Sequence, residues 1–472
     1  MIEPELETPV VEEEISDTGE HFDEENRLKS GFVERVREAL ESGDDGRVYD
    51  LVEPLHPADI ADLFELLDRD ERKHLAAAIT DLMTGEVIAE LNDYVREDMM
   101  ESLPAHAVAE IAEQLDTDDA VQLIEDLEFE NQQAILAEME PEDRAAIESA
   151  LAYPEESAGR LMQRELIAVP AHLTVGDLID YLRDNDTLTT EFWEVFVVDH
   201  THKPLGTCQL SWILRTPRTV ALADVMKRDQ TLIPVSMDQE EVALRFQKYA
   251  LISAAVVDEN GRLVGQITVD DVVHIIQEEA AEDVLLLSGA GEGDINEPIR
   301  DAYWARVRWL VANLVTASVA SFVISRFEDV IAQLVTLAVL MPIVAGIGGN
   351  AGTQTLAVTV RALATNQLTS SNMWRSVRRE ISIALLNGVS VALVIGVVVT
   401  LIFGDWHLGL VIALAMLVNI VIAGVAGVLV PLTLDRFRVD PAISSSIFVT
   451  MTTDSMGFLV FLGLAVATGL AG

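Results

Sequence analysis

Cysteine occurs once in this 472-residue chain, at Cys208. That excludes an intramolecular disulfide and the Cys-rich metal motifs, and it fits a cytosolic setting for the soluble half. The start has no basic segment followed by an apolar stretch, so no cleaved signal peptide is expected; residues 1–27 are dominated by Glu and Asp and read as a disordered tail. Hydrolase, P-loop and catalytic-triad signatures are missing, which argues against an enzyme or an ATP-driven pump. Basic residues are scarce as well: 31 Lys and Arg stand against 79 Asp and Glu, a formal net charge of −48.

That imbalance is confined to one part of the chain. The first 300 residues hold 71 acidic and 22 basic residues, whereas from Asp301 onward eight acids face nine Arg and no Lys. An acidic half of this size repels nucleic acid and anionic lipid and attracts cations, divalent ones above all; a soluble surface adapted to salt reads equally well.

Beyond residue 300 the sequence turns apolar. Five stretches are each near the roughly 20 residues that cross a bilayer: Trp304 to Ile324, Val330 to about Gly349, Ile381 to Phe403, Leu408 to Leu434 and Ile443 to Leu470. Arg361, Arg375, Arg378 and Arg379 lie between spans two and three, and Arg436 and Arg438 between four and five. The positive-inside rule places those loops in the cytoplasm, so the N-terminal half is expected inside and the C-terminus outside. Asp454 is the only acid within the five expected spans, set among Thr450, Thr452 and Thr453. A carboxylate at membrane depth is expensive and ordinarily faces a water-filled path or a bound ion, so the chain reads as a cation transport protein. A protonated Asp454 inside a helix bundle is the plainer alternative. The run Gly348 to Thr355 carries Asn350, Thr353 and Gln354; it can expose backbone oxygens to an ion, or simply let helices pack closely.

The acidic half divides in two. From about Phe32 to Ala152, apolar residues at three- and four-residue spacing (Ile60, Leu63, Phe64, Leu67) predict amphipathic helices. Leu55 to Leu63 and Leu103 to Ile111 resemble each other, each with a proline near a helix start, which predicts a stack of helical repeats. After Tyr153 and Pro154, helices alternate with short β-branched strands, and the order strand, helix, strand, hairpin occurs twice. The Asn260-Gly261 turn marks the second hairpin. This order resembles paired cystathionine-β-synthase (CBS) domains. In the second copy Gly265 to Asp271 matches the pattern in which Thr268 and Asp271 contact an adenosine nucleotide; the first copy has no acid at that place. A purely structural pair remains open beside nucleotide binding.

Taken with these, Pro342 to Gln354, Arg361 to Ala364, Asp440-Pro441-Ala442 and Thr450 to Gly457 look like the MgtE family of magnesium channels, over everything from about Leu55 to the end. The fold class implied is multidomain: an all-α superhelical N-terminal domain, α/β tandem CBS domains, and an all-α polytopic membrane domain with five transmembrane helices. Expected boundaries are an acidic tail over 1–30, the helical domain over 31–153, CBS domains over 154–222 and 223–277, a connecting helix over 278–303 and the membrane domain over 304–472. The resemblance further implies a homodimer in the cell membrane, with a pore at the subunit interface on spans two and five holding Asp454, Asn350 and Thr353. It implies import of Mg2+ down its gradient and a gate closed by Mg2+ on Asp118 or Asp119, Asp271, Glu279, Glu282 and Asp283, with ATP as a modulator. His274 and Ala250 stand where other members carry gating aspartates, so the Mg2+ threshold is open. A broader manganese or cobalt transporter, and a membrane-anchored nucleotide sensor, are the alternative functions.

Overall fold

A computed structural model describes residues 21–470, apart from Ser102, Asp126, 186–187, 189–191, 289–295, Ser370 and Arg438; the side chains of Asp283, Ile443 and Ser444 are also outside it. The expected acidic tail therefore lies largely outside the described residues. Residues 21–29, assigned to that tail from composition, instead form a turn with a Phe22–Leu28 bridge, and His21 packs against Phe32. The chain forms two compact units, Met1–Ile276 and Gln277–Gly472.

The first unit opens with a stack of short helices: α1 (Ser30–Ser42), α2 (Asp45–Val52), α3 (Pro57–Glu65), α4 (Arg69–Ala78), α5 (Gly85–Ala89), α6 (Asp93–Glu101), α7 (Ala105–Ala112), α8 (Thr117–Glu125), α9 (Phe129–Glu138) and α10 (Pro141–Leu151). Their starts are written in the sequence. Pro57 occupies the first turn of α3, Pro104 caps α7, and Asp68 with Glu71 makes a reciprocal capping box on α4. One continuous core of Leu, Val and Ile runs through the stack. Two buried arginines close gaps between neighbours: Arg72 donates to the Phe64 carbonyl at 2.8 Å and Arg96 to the Leu91 carbonyl at 3.2 Å, satisfying acceptors that helix ends leave open.

Two α/β modules follow. The first contains β1 (Ala168–Pro170), α11 (Val175–Asp184), β2 (Glu194–Val198), β3 (Pro204–Gln209), α12 (Leu210–Arg215) and α13 (Leu222–Val225). The second contains β4 (Leu232–Pro234), α14 (Gln239–Tyr249), β5 (Ser253–Val257) and β6 (Leu263–Thr268), after which α15 (Val269–Ser288) begins. Each sheet has the same pairing, parallel between its first two strands and antiparallel in the hairpin, with a register shift near the turn. Gly261 takes φ +75° in the second hairpin, a conformation that glycine adopts without strain. The repeated order expected from the sequence is the order observed.

Among the described residues the second unit holds five helices long and apolar enough to cross a membrane: α16 (Ile299–Ser325), α18 (Thr336–Ala364), α19 (Met373–Phe403), α20 (Trp406–Arg436) and α21 (Pro441–Ala467), with the short α17 (Glu328–Gln333) after the first. The second crossing differs from expectation. Rather than Val330 to about Gly349, it runs from Thr336 to Ala364, so the Gly348 to Thr355 run lies in mid-helix. Polar side chains lower its mean hydropathy to 1.3, the lowest of the five, and this ended the apolar window early. Backbone amides at membrane depth must still be bonded within the segment, so the helix continues through them.

Candidate functional site

In the first unit, α8 is held at both ends by the segment that leads into the first α/β module. At its start the Glu165 carboxylate accepts from the Thr117 backbone amide at 3.2 Å and from the Thr117 hydroxyl at 2.8 Å. Beyond its first turns, Arg160 reaches Glu125 at 2.9 Å. A carboxylate at a helix N-terminus satisfies free amides and meets the positive end of the helix dipole. So anchored, α8 directs Asp118 and Asp119 at Asp271, in the first turn of α15.

Asp271 is oriented by its own strand end: the Thr268 hydroxyl donates to its Oδ2 at 2.7 Å. The Asp118 carboxyl lies within the field of Asp271, and its Oδ1 is sealed from solvent with no hydrogen-bond partner. Burial, and then the charge of Asp271, raise the Asp118 carboxyl well above the usual range. Asp119 is pushed up to about 7 by burial first and by Asp271 second, and Asp271 itself is raised chiefly by burial. Carboxyls in this position either keep a proton between them or give it up to a cation. Hard carboxylate oxygens with an unfilled lone pair suit Mg2+, which retains several waters and therefore accepts a partial protein shell. Among the described residues no group of three or more His, Cys, Asp or Glu is placed to hold a metal ion.

The structure thus brings together Asp118, Asp119, Asp271 and Thr268. Glu279 is half-buried and Glu282 exposed on the later turns of α15, and the Asp283 side chain lies outside the described residues. His274 is exposed. Ala250 takes a left-handed φ of +50° as the C-cap of α14.

In the second unit the helical period splits the glycine-rich run into two faces. Gly348 and Gly352 point inward: a Cβ on Gly348 would collide with the Asn419 amide, and one on Gly352 would lie 2.6 Å from Val449. Gly346 and Gly349 face open space, and Asn350, Thr353 and Gln354 are exposed beside them. The Thr353 hydroxyl donates to the Gly349 carbonyl at 3.0 Å. Its proton is spent on the helix, so the oxygen offers only lone pairs outward. Close packing therefore belongs to one face of the helix, and the exposed polar residues to the other.

Asp454 lies half-buried at the middle of α21 and lines a cleft of about 370 Å³ between α16 and α21, with Asn313, Thr316, Ser446 and Thr450 beside it. Thr316 donates to the Asn313 carbonyl at 2.9 Å, again leaving a hydroxyl oxygen as acceptor. Asn350 and Thr353 are not among the residues that line this cleft. Asn313 and Thr316 are not among the residues singled out from the sequence, although their polarity inside an apolar span is a signal for them. Glu165 is not among them either, since a single exposed-looking glutamate gives no signal.

The family model of MgtE, described as divalent cation transporter, matches residues 341–464; the MgtE intracellular N domain matches residues 55–156, and the CBS domain residues 222–278. The magnesium transporter MgtE of Thermus thermophilus is 33% identical over 325 residues, 68% of this chain and 71% of that one. That of Enterococcus faecalis is 30% identical over 319 residues, 68% and 70% respectively, and that of Bacillus subtilis 29% over 323 residues, 68% and 71%. Among solved structures, the cytosolic domain of the Mg2+ channel MgtE in complex with ATP covers 52% of this chain and 99% of its own, at 28% identity and a TM-score of 0.47.

Proposed function

The chain belongs to the MgtE family of magnesium transporters, and from that premise we propose that it is a homodimeric, non-enzymatic channel of the cytoplasmic membrane that admits Mg2+ down its electrochemical gradient. The observation that carries the reading is the outward face of α18. Gly346, Gly349, Asn350 and Thr353 lie open on one side of a membrane helix, where contact with lipid would leave polar groups unsatisfied. A second copy related by a two-fold axis covers that face and brings a second Asp454 to the first.

Asp454 then supplies charge at mid-membrane, while Thr353, Thr450 and Asn350 present oxygens to an ion that keeps most of its water. Mg2+ dehydrates reluctantly, so a path of lone pairs and carboxylates that accepts the hydrated ion suits it better than a tight dry cage. Manganese and cobalt meet the same oxygens, and selectivity among them rests on fit to the hydrated ion. Arg361 near the end of α18 and Arg375, Arg378 and Arg379 in the first turns of α19 support, by the positive-inside rule, a cytoplasmic side for that end of the bundle and for the acidic N-terminal half. The C-terminus then lies outside.

For the gate, Asp118, Asp119 and Asp271 form the cytosolic sensor, with Glu279, Glu282 and Asp283 as further acids of the same chain. Mg2+ cancels a repulsion worth several kcal/mol at about 4 Å and an effective dielectric near 20, so a filled sensor favours the closed arrangement and an empty one releases it. Asp271 is already engaged by Thr268; ATP at Thr268 and Asp271 would act as a modulator by competing for that carboxylate. Single-channel recording from excised patches tests the gate. Openings at low cytoplasmic Mg2+ that close as Mg2+ is raised are expected, and openings indifferent to cytoplasmic Mg2+ would remove the sensor from the account.

A further inference from the structure

Asn419 lies in the middle of α20, fully buried, where an apolar side chain would be the default. Its Nδ2 donates to the Val344 carbonyl at 3.0 Å. That carbonyl also accepts the helical amide four residues on, so Asn419 takes up its second lone pair. The room for the amide is made by two missing side chains. A Cβ on Gly348 of α18 would strike Nδ2, and one on Gly457 of α21 would stand 2.7 Å from Nδ2 and 3.1 Å from Oδ1. The same amide therefore touches both helices of the proposed ion path, two residues before Asn350 on one and three after Asp454 on the other.

The contact heads a column of small residues at four-residue spacing. On α20 it continues as Ala423 and Gly427, which meet Gly352 and Thr355 of α18, and Gly352 in turn meets Val449 and Thr453 of α21. Small residues alone would let these helices slide along one another. A directed hydrogen bond fixes their register. Oδ1 of Asn419 has no hydrogen-bond partner, so the residue is retained at a cost to stability, which points away from a purely stabilising role.

We propose that Asn419 is a positioning residue for ion selectivity: it locks α18 against α20 beside α21, and so sets the distance between the oxygens around Asn350 and the Asp454 carboxylate. The inference rests on the pore reading above. Reconstituted full-length protein tests it through the ratio of Mg2+ to Ca2+ entry into liposomes, with detergent melting temperature as a second readout. Asn419→Leu is expected to keep or raise the melting temperature, because an orphaned polar atom is removed, while the Mg2+/Ca2+ ratio falls by about tenfold, the scale of one buried hydrogen bond. Gly348→Ala, which drives the amide off the Val344 carbonyl, should lower the ratio alike, and adding Asn419→Ala to it should relieve the clash without restoring the ratio. A native ratio in Asn419→Leu, or its return in the Gly348→Ala, Asn419→Ala double variant, would show that only volume matters and would overturn the proposal. Should Asp454→Asn conduct as the native chain does, the pore reading falls and this inference with it; loss of flux in Asp454→Asn beside an unchanged ratio in Asn419→Leu sinks the inference alone.

Discussion

Replacing Asp119 with Asn should remove the part of the pH dependence of the Asp118, Asp119 and Asp271 cluster that Asp119 carries, leaving that of its two raised neighbours. In the folded chain the Asp119 carboxyl rises from 3.8 to about 7, through burial first and then the charges of Asp271 and Asp116. Each unit is worth about 1.4 kcal/mol, so the deprotonated carboxylate costs the packed arrangement on the order of 4 kcal/mol. A raised carboxyl means that the packed chain holds a proton which the separated one has lost. Stability of the packing is then full below about pH 4, falls as pH rises toward 7, and is flat above. Asn carries no proton to lose. At pH 8 in chelator the Asp119→Asn protein should gain a few kcal/mol of protection around α8 over the native chain, and below about pH 4 the two should be nearly equal. Hydrogen exchange of residues 117–125, expressed as protection factors, measures this, and Mg2+ added at pH 8 should protect the native segment more than the variant. An Asn variant that follows the native pH profile, or is less protected at pH 8, would refute the reasoning.

Two further perturbations probe the framework around these sites. Glu165→Ala removes both acceptors at the start of α8, and the loss of such a cap costs about 1–2 kcal/mol; exchange over 117–125 should rise while the strands of the α/β modules keep their protection. Gly427→Leu places a Cβ 2.8 Å from the Gly352 carbonyl, a backbone atom that cannot turn aside; the variant should lose its monodisperse peak on size-exclusion chromatography, whereas Gly463→Ala, with nothing within 4 Å of its Cβ, should elute as the native protein.

The soluble architecture was legible because its signals are local. Proline at helix starts and the Asn260-Gly261 turn each act over three or four residues. The membrane helices were legible in number but not in extent, because the second crossing carries its polar face through the middle rather than at an end. Which glycines pack and which face outward depends on a 3.6-residue period that becomes meaningful only once the helix is known to be continuous. Asp454 stood out as a lone charge in apolar sequence. Glu165 and Asn419 did not, since each acts through a partner distant in sequence, Thr117 in one case and Val344 in the other, and nothing near either residue announces that partner.

Entry of Mg2+ into proteoliposomes, followed with an internal magnesium dye, bears most directly on the claim that Asp454 marks an ion path. The native chain should admit Mg2+ when the ion is withheld from the cytoplasmic face, and Asp454→Asn, inserted and assembled as the native protein is, should admit almost none. Equal entry through both would contradict the account.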